Sequence, residues 1–197
     1  MNKGIISLLI VVLGMGFWTN LWSVSIQRAE YGQQLAEMQF AVPEDQQARD
    51  YLGLKGKGDV FKIPEIDAQV VIVEIFSMYC PHCQKQAPAV NDLFAVIQNQ
   101  SGLKGKVKIV GMGVGNSAFE VGIFKKQYAI PFPLIPDEKQ AIVNTLSGVV
   151  TPWFIGYRFN KDGSYNVFYS KPGGFSNEKE FLATMLELSG FPAGGGS

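Results

Sequence analysis

Residues Val70 to Phe76 read VVIVEIF, six apolar side chains out of seven and five of them β-branched. A run this short and this β-rich predicts a strand buried on both faces, which requires helices packed over a largely parallel sheet. With 47% hydrophobic residues and 17% charged ones, the chain can supply the core that such a strand demands. Four residues past its end come the only two cysteines and the only histidine, in the order Cys80, Pro81, His82, Cys83. Whatever sulfur chemistry the chain performs is confined to that strand end.

The flanking segments define an α/β domain. From Pro81 to about Gln98, Ala87, Val90, Leu93, Phe94 and Ile97 fall at helical spacing, with Pro88 as a kink. Val107 to Met112 reads as a strand, Asn116 or Ser117 as the cap of a helix running to about Tyr128, and Phe132 to Ile135 as a short strand. Glu138 to Leu146 reads as a helix closed by Gly148. Pro152 to Phe159 and Tyr165 to Tyr169 flank the turn Asn160 to Gly163 as a hairpin, and a last helix runs from Ser176 or Asn177 to Gly190. The order predicts one domain over 58–190, opening with a short strand at Val60 to Ile63, with a central mixed β-sheet flanked by helices. Residues 26–57 are polar and helix-permissive and are expected to form a helical spacer. Residues 191–197, ending in three glycines and a serine, are expected to be a flexible tail or linker scar.

The amino end sets the compartment. No charged side chain stands between Lys3 and Arg28, and Gly4 to Trp22 is dominated by apolar residues. Residues 4–24 match the roughly 20 residues that span a bilayer, whereas Ser23 and Ser25 offer only an imperfect cleavage site. Residues 1–25 are thus expected to be a signal anchor or signal peptide, an N-terminal hydrophobic helix that carries the remainder out of the cytoplasm with Lys3 inside. Seventeen basic and seventeen acidic residues cancel, so nothing in the global charge recruits nucleic acid.

A cysteine where a strand ends and a helix begins meets free backbone amides and the positive end of the helix dipole, which favour its thiolate. Cys80 is therefore the expected nucleophile, and Cys83, one turn on, the resolving thiol. His82 between them can offer a hydrogen bond or positive charge to the Cys80 sulfur, making the disulfide more oxidising. Zinc would need four ligands and no further Cys or His exists; covalent haem would need His at position 84, which is Gln. No metal or cofactor is expected. A disulfide closing so short a loop would stabilise little.

The pair behind a buried strand, with Pro88 five positions after Cys83, resembles the thioredoxin superfamily over about residues 58–190. EIFSMYCPHC is similar to the active-site segment of DsbA-like disulfide oxidases. FKIPEI, NSAFEVGIFKKQYAIPFPLIPDEK and TPWFIGYRFNKDG resemble the membrane-anchored TlpA-like and ResA-like thiol-disulfide oxidoreductases. These two likenesses imply opposite redox directions. The resemblance implies that Glu74 is a buried acid assisting proton transfer at Cys83, and that Thr151 and Pro152 form a cis-proline segment facing the disulfide. There the backbone would pair with an extended substrate while Tyr79 and Trp153 line an apolar groove. It implies an enzyme exchanging disulfides with cysteine-containing protein substrates, extracytoplasmic or periplasmic, and recycled by a membrane redox partner. The alternatives are a peroxiredoxin-like thiol peroxidase, against which position 73 is Val where such enzymes carry proline, and a non-enzymatic membrane-tethered interaction subunit.

Overall fold

The structure, a computed structural model, describes residues 30–192 except 55 and 57. The expected hydrophobic helix of residues 1–25 lies outside the described residues, as does the expected tail 191–197 from residue 193 on; Phe191, at its start, is buried in the core. Among the described residues no helix is long and apolar enough to cross a membrane.

In chain order the elements are β1 (Phe40–Ala41), α1 (Gln46–Leu52), β2 (Val60–Phe61), a 3-10 turn (Ile63–Glu65), β3 (Val70–Phe76) and α2 (Pro81–Asn99). They continue as β4 (Val107–Val114), α3 (Ala118–Gln127), β5 (Leu134–Asp137), α4 (Ala141–Thr145), β6 (Trp153–Phe159), β7 (Tyr165–Pro172) and α5 (Glu178–Ser189). Five strands form a mixed sheet in the order β5-β4-β3-β6-β7, and β1 pairs with β2 in a separate ribbon. The neighbours β3, β4 and β5 run parallel; β6 runs antiparallel to β3 and β7 to β6. This is the mixed, helix-flanked sheet expected, with β3 central and buried throughout.

Alternation along β3 assigns its two faces. Val71, Val73 and Ile75 join a core with Tyr31, Leu35, Phe40, Leu52 and Leu54. Val70, Ile72 and Phe76 join a core with Cys83, Ala87, Val90 and Leu93 of α2 and Phe181, Leu182 and Met185 of α5. The segment expected as a spacer thus supplies much of one face. Residues 30–37 are helical, and the buried Tyr157 hydroxyl of β6 donates to the Gly32 carbonyl at 2.8 Å.

Two expected elements shift. The strand expected at Phe132 to Ile135 pairs instead over Leu134–Asp137, and Pro136 is tolerated there because β5 is a sheet edge. The helix expected from Glu138 starts only at Ala141. Gln140 adopts a left-handed conformation (φ +54°), and the Asp137 carboxylate caps from upstream, accepting from Ala141 N at 2.8 Å and Ile142 N at 3.0 Å.

Removing the hydroxyl that ties residues 30–37 to the sheet, by Tyr157→Phe, should cost about 1 kcal/mol of stability. Chemical denaturation checks it. An unchanged midpoint would mean that the tie contributes nothing.

Candidate active site

Cys80 is the N-cap of α2, with extended backbone angles (φ −83°, ψ 114°), and Pro81 occupies the first helical position, where its missing N–H costs nothing. Its sulfur therefore sits against the open first turn of the helix. In the thiol form Cys80 Sγ donates to the Thr151 carbonyl at 3.3 Å. Partial burial opposes a charge. The Thr151 side chain, the backbone amides of Cys83 and His82 and the Cys83 thiol outweigh it, and the Cys80 thiol is held below the usual thiol range.

Cys83 is placed oppositely. It is fully buried between α2 and β3, and burial, with the neighbouring Cys80 adding to it, pushes its thiol up to about 12. Both cysteines are free, so the site stands in its dithiol form. One thiol is poised to ionise and the other to stay protonated.

Glu74 lies on the same face of β3 as Val70, Ile72 and Phe76, the face on which Cys83 packs. Burial alone pushes its carboxyl up to about 8. A group with that value can hold or release a proton near neutral pH.

Thr151 and Pro152 stand where the sequence expectation put them, with their peptide bond cis. Thr151 faces Cys80, but the Pro152 carbonyl accepts from Gly173 N at 2.8 Å and is already committed. Beside them a cleft of about 510 Å³ is lined by Ser77, Tyr79, Gln140, Val143, Val150 and Thr151, among others. Tyr79 is 64% exposed on its wall, its hydroxyl donating to the Glu120 carboxylate.

Two expected placements are corrected. Trp153 does not line a groove: it is buried in the core edge-on to Tyr31, ring centroids 5.6 Å apart, and its Nε1 donates to Ser170 Oγ at 3.1 Å. Being the first residue of β6, opposite Ile75, it takes the inward side of the pleat. His82 points outward and is exposed; what it brings to Cys80 is its backbone amide. Sequence reasoning missed Asn116 as a site residue. Its neighbour Ser117 fills the expected helix-cap role by exchanging hydrogen bonds with Glu120, and Asn116 instead accepts from Met78 N at 2.9 Å.

The Glu74 carboxyl has a consequence for stability. Below pH 4.5 both folded and unfolded chains carry its proton; from there to about pH 8 only the folded chain does, so stability falls as pH rises. The slope is up to about 1.4 kcal/mol per pH unit. Glu74→Gln should flatten it in denaturant titrations of the reduced protein, and an unaltered slope would show the carboxyl to be unshifted.

Comparison with known proteins places this site in a family context. The thiol-disulfide oxidoreductase ResA of Geobacillus kaustophilus is 20% identical over 163 residues, 83% of this chain and 82% of the relative. A ResA of Bacillus cereus is 24% identical over 107 residues, 54% of this chain; the match spans little more than half of that relative, 58%. Among solved structures, a secreted Mycobacterium tuberculosis disulfide oxidoreductase described as homologous to E. coli DsbE superposes with a TM-score of 0.52 at 15% identity. That match covers 79% of this chain and 98% of the other. A thioredoxin-like protein from Aeropyrum pernix gives 0.51 at 14% identity, covering 86% and 98%. The fold is therefore thioredoxin-like. Residues 44–161, which carry the buried strand, both cysteines and the Thr151–Pro152 bond, match the AhpC/TSA family, and the chain belongs to it.

Proposed function

We propose that this chain is an extracytoplasmic thiol-disulfide oxidoreductase that exchanges disulfides with cysteine-containing proteins through Cys80 and Cys83. The observation that carries the reading is the placement of two free cysteines one helical turn apart, Cys80 at the cap of α2 beside Thr151 and Cys83 fully buried in the core, a placement that lowers the first thiol and raises the second. The relatives named thiol-disulfide oxidoreductase support it.

In the reducing direction the Cys80 thiolate attacks one sulfur of a substrate disulfide. The substrate S–S bond breaks, a Cys80–substrate mixed disulfide forms, and one substrate sulfur leaves as thiolate. Cys83 then gives its proton to the Glu74 carboxylate and attacks the Cys80 sulfur. This breaks the Cys80–substrate disulfide, forms the Cys80–Cys83 disulfide and expels the second substrate sulfur as a thiolate, which takes a proton from solvent, so the substrate gains two electrons and the pair loses them. The reverse sequence oxidises a dithiol. All the redox change is between sulfurs, so the step calls for neither metal nor cofactor. The burial of Glu74 suits it to this exchange, because a carboxyl at about 8 is near balance at working pH.

The cleft beside Thr151 is the substrate side of the site, with Tyr79 and Val150 exposed on its wall. The apolar run at 4–24 supports export and tethering to the inner membrane, and the secreted Mycobacterium tuberculosis neighbour supports the outer compartment. A membrane redox partner would then restore the spent pair. No observation favours a non-enzymatic tether over exchange.

Cys83→Ser should accumulate mixed disulfides with proteins through Cys80, seen on non-reducing gels, because resolution is lost. Cys80→Ser should reduce insulin no faster than the uncatalysed background. Rapid Cys80-dependent turnover of hydrogen peroxide with no protein adducts trapped would replace exchange with the peroxidase reading.

A further inference from the structure

The loop that delivers Cys80, residues 77–80, is held at Met78 from two separate elements. Met78 N donates to Asn116 Oδ1 at 2.9 Å, and the Met78 carbonyl accepts from Gln84 Nε2 at 2.8 Å. Asn116 follows the carboxyl end of β4; Gln84 sits in α2 directly after Cys83. Two further hydrogen bonds of the loop, Cys80 N to Ser77 O at 3.1 Å and Tyr79 N to Ser77 Oγ at 3.4 Å, are internal and move with it, while the Cys80 carbonyl accepts from Gln84 N at 3.1 Å as the first bond of α2 and leaves the position of residues 77–79 to Met78.

Asn116 is fully buried, and its Nδ2 is buried without a hydrogen-bond partner. An unpaired buried donor is unfavourable, so packing alone gives no reason for an amide here. Helix capping gives none either, since Ser117 caps α3. The part of the side chain that is used is Oδ1, and it is used on Met78.

We propose that Asn116 and Gln84 are positioning residues. By clamping both backbone groups of Met78 they keep Cys80 Sγ at the amides of α2 and beside Thr151, the groups that favour its thiolate. The exchange reaction under Proposed function would depend on this placement, and the proposal rests on that reading only for its catalytic meaning. Loosening the clamp lets the loop sample positions in which the sulfur leaves the helix end. Cys83, held by the packing of α2 on β3, is unaffected.

The test is the pH profile of iodoacetamide alkylation of Cys80 in the reduced full-length chain, with peptide mapping to separate the two thiols. Asn116→Ala and Gln84→Ala should each slow labelling at neutral pH roughly two- to tenfold, the equivalent of one net hydrogen bond, and move the profile toward higher pH. The double variant should lose less than the product of the two single effects, because both act through Met78. Profiles superimposable on the unsubstituted chain, or single effects that multiply, would overturn the proposal. If Asn116→Ala fails to fold, Gln84→Ala at its half-exposed position decides alone, an unmoved profile counting against the clamp. Alkylation does not require disulfide exchange with proteins. A chain inactive on insulin but with shifted profiles therefore refutes the proposed function and leaves the clamp standing.

Discussion

The burial of β3 on both faces is the constraint from which the site follows. A strand with no exposed side chain can present chemistry only where it ends, and in a sheet with parallel neighbours that is the carboxyl edge, beside the amino end of the next helix. Cys80 stands at that junction as the helix cap. Its neighbour across the edge is Thr151, brought there because β6 starts opposite Ile75, at the same end of β3. The site is thus assembled by strand register and not by a loop closing over it.

The same burial divides the labour between the two cysteines. They are three residues apart on one helix, yet Cys80 touches amides and solvent while Cys83 is enclosed by the apolar core. Desolvation acts on both, and only at Cys80 do hydrogen bonds reverse it. Glu74 extends the pattern into β3. A carboxyl shut into the Cys83 face of the core, its value raised by burial, reduces stability above pH 4.5, a cost that the proton transfer proposed for it would explain.

What the sequence showed plainly was whatever depends on neighbours close in the chain. The run VVIVEIF, the helical spacing after Pro81 and the turn between β6 and β7 are local signals, and the strands and helix they predict are present. So is Cys80 at a helix end. The start of α4 was not legible, because it depends on Gln140 taking a left-handed conformation and on Asp137 capping from outside the helix. Trp153 looked like a groove residue from its place after Pro152, but its side of the pleat is set by pairing with a strand some eighty residues earlier. The contribution of residues 31–54 to the core was hidden for a related reason: Tyr31, Leu35 and Phe40 read as scattered apolar positions until the sheet face they cover exists. His82 and Asn116 exchange importance in the folded chain, since one shows only its backbone to the sulfur and the other reaches the loop from thirty-six positions beyond Cys80.

The junction of β3 and α2 gives the two thiols opposed ionisation. Titration of the reduced protein, followed through the ultraviolet absorbance of the thiolate, addresses it directly. One thiolate should appear below the ordinary thiol value of about 8.5 and be lost in Cys80→Ser, with the second absent until strongly alkaline pH. Two thiolates appearing together near that value would contradict it.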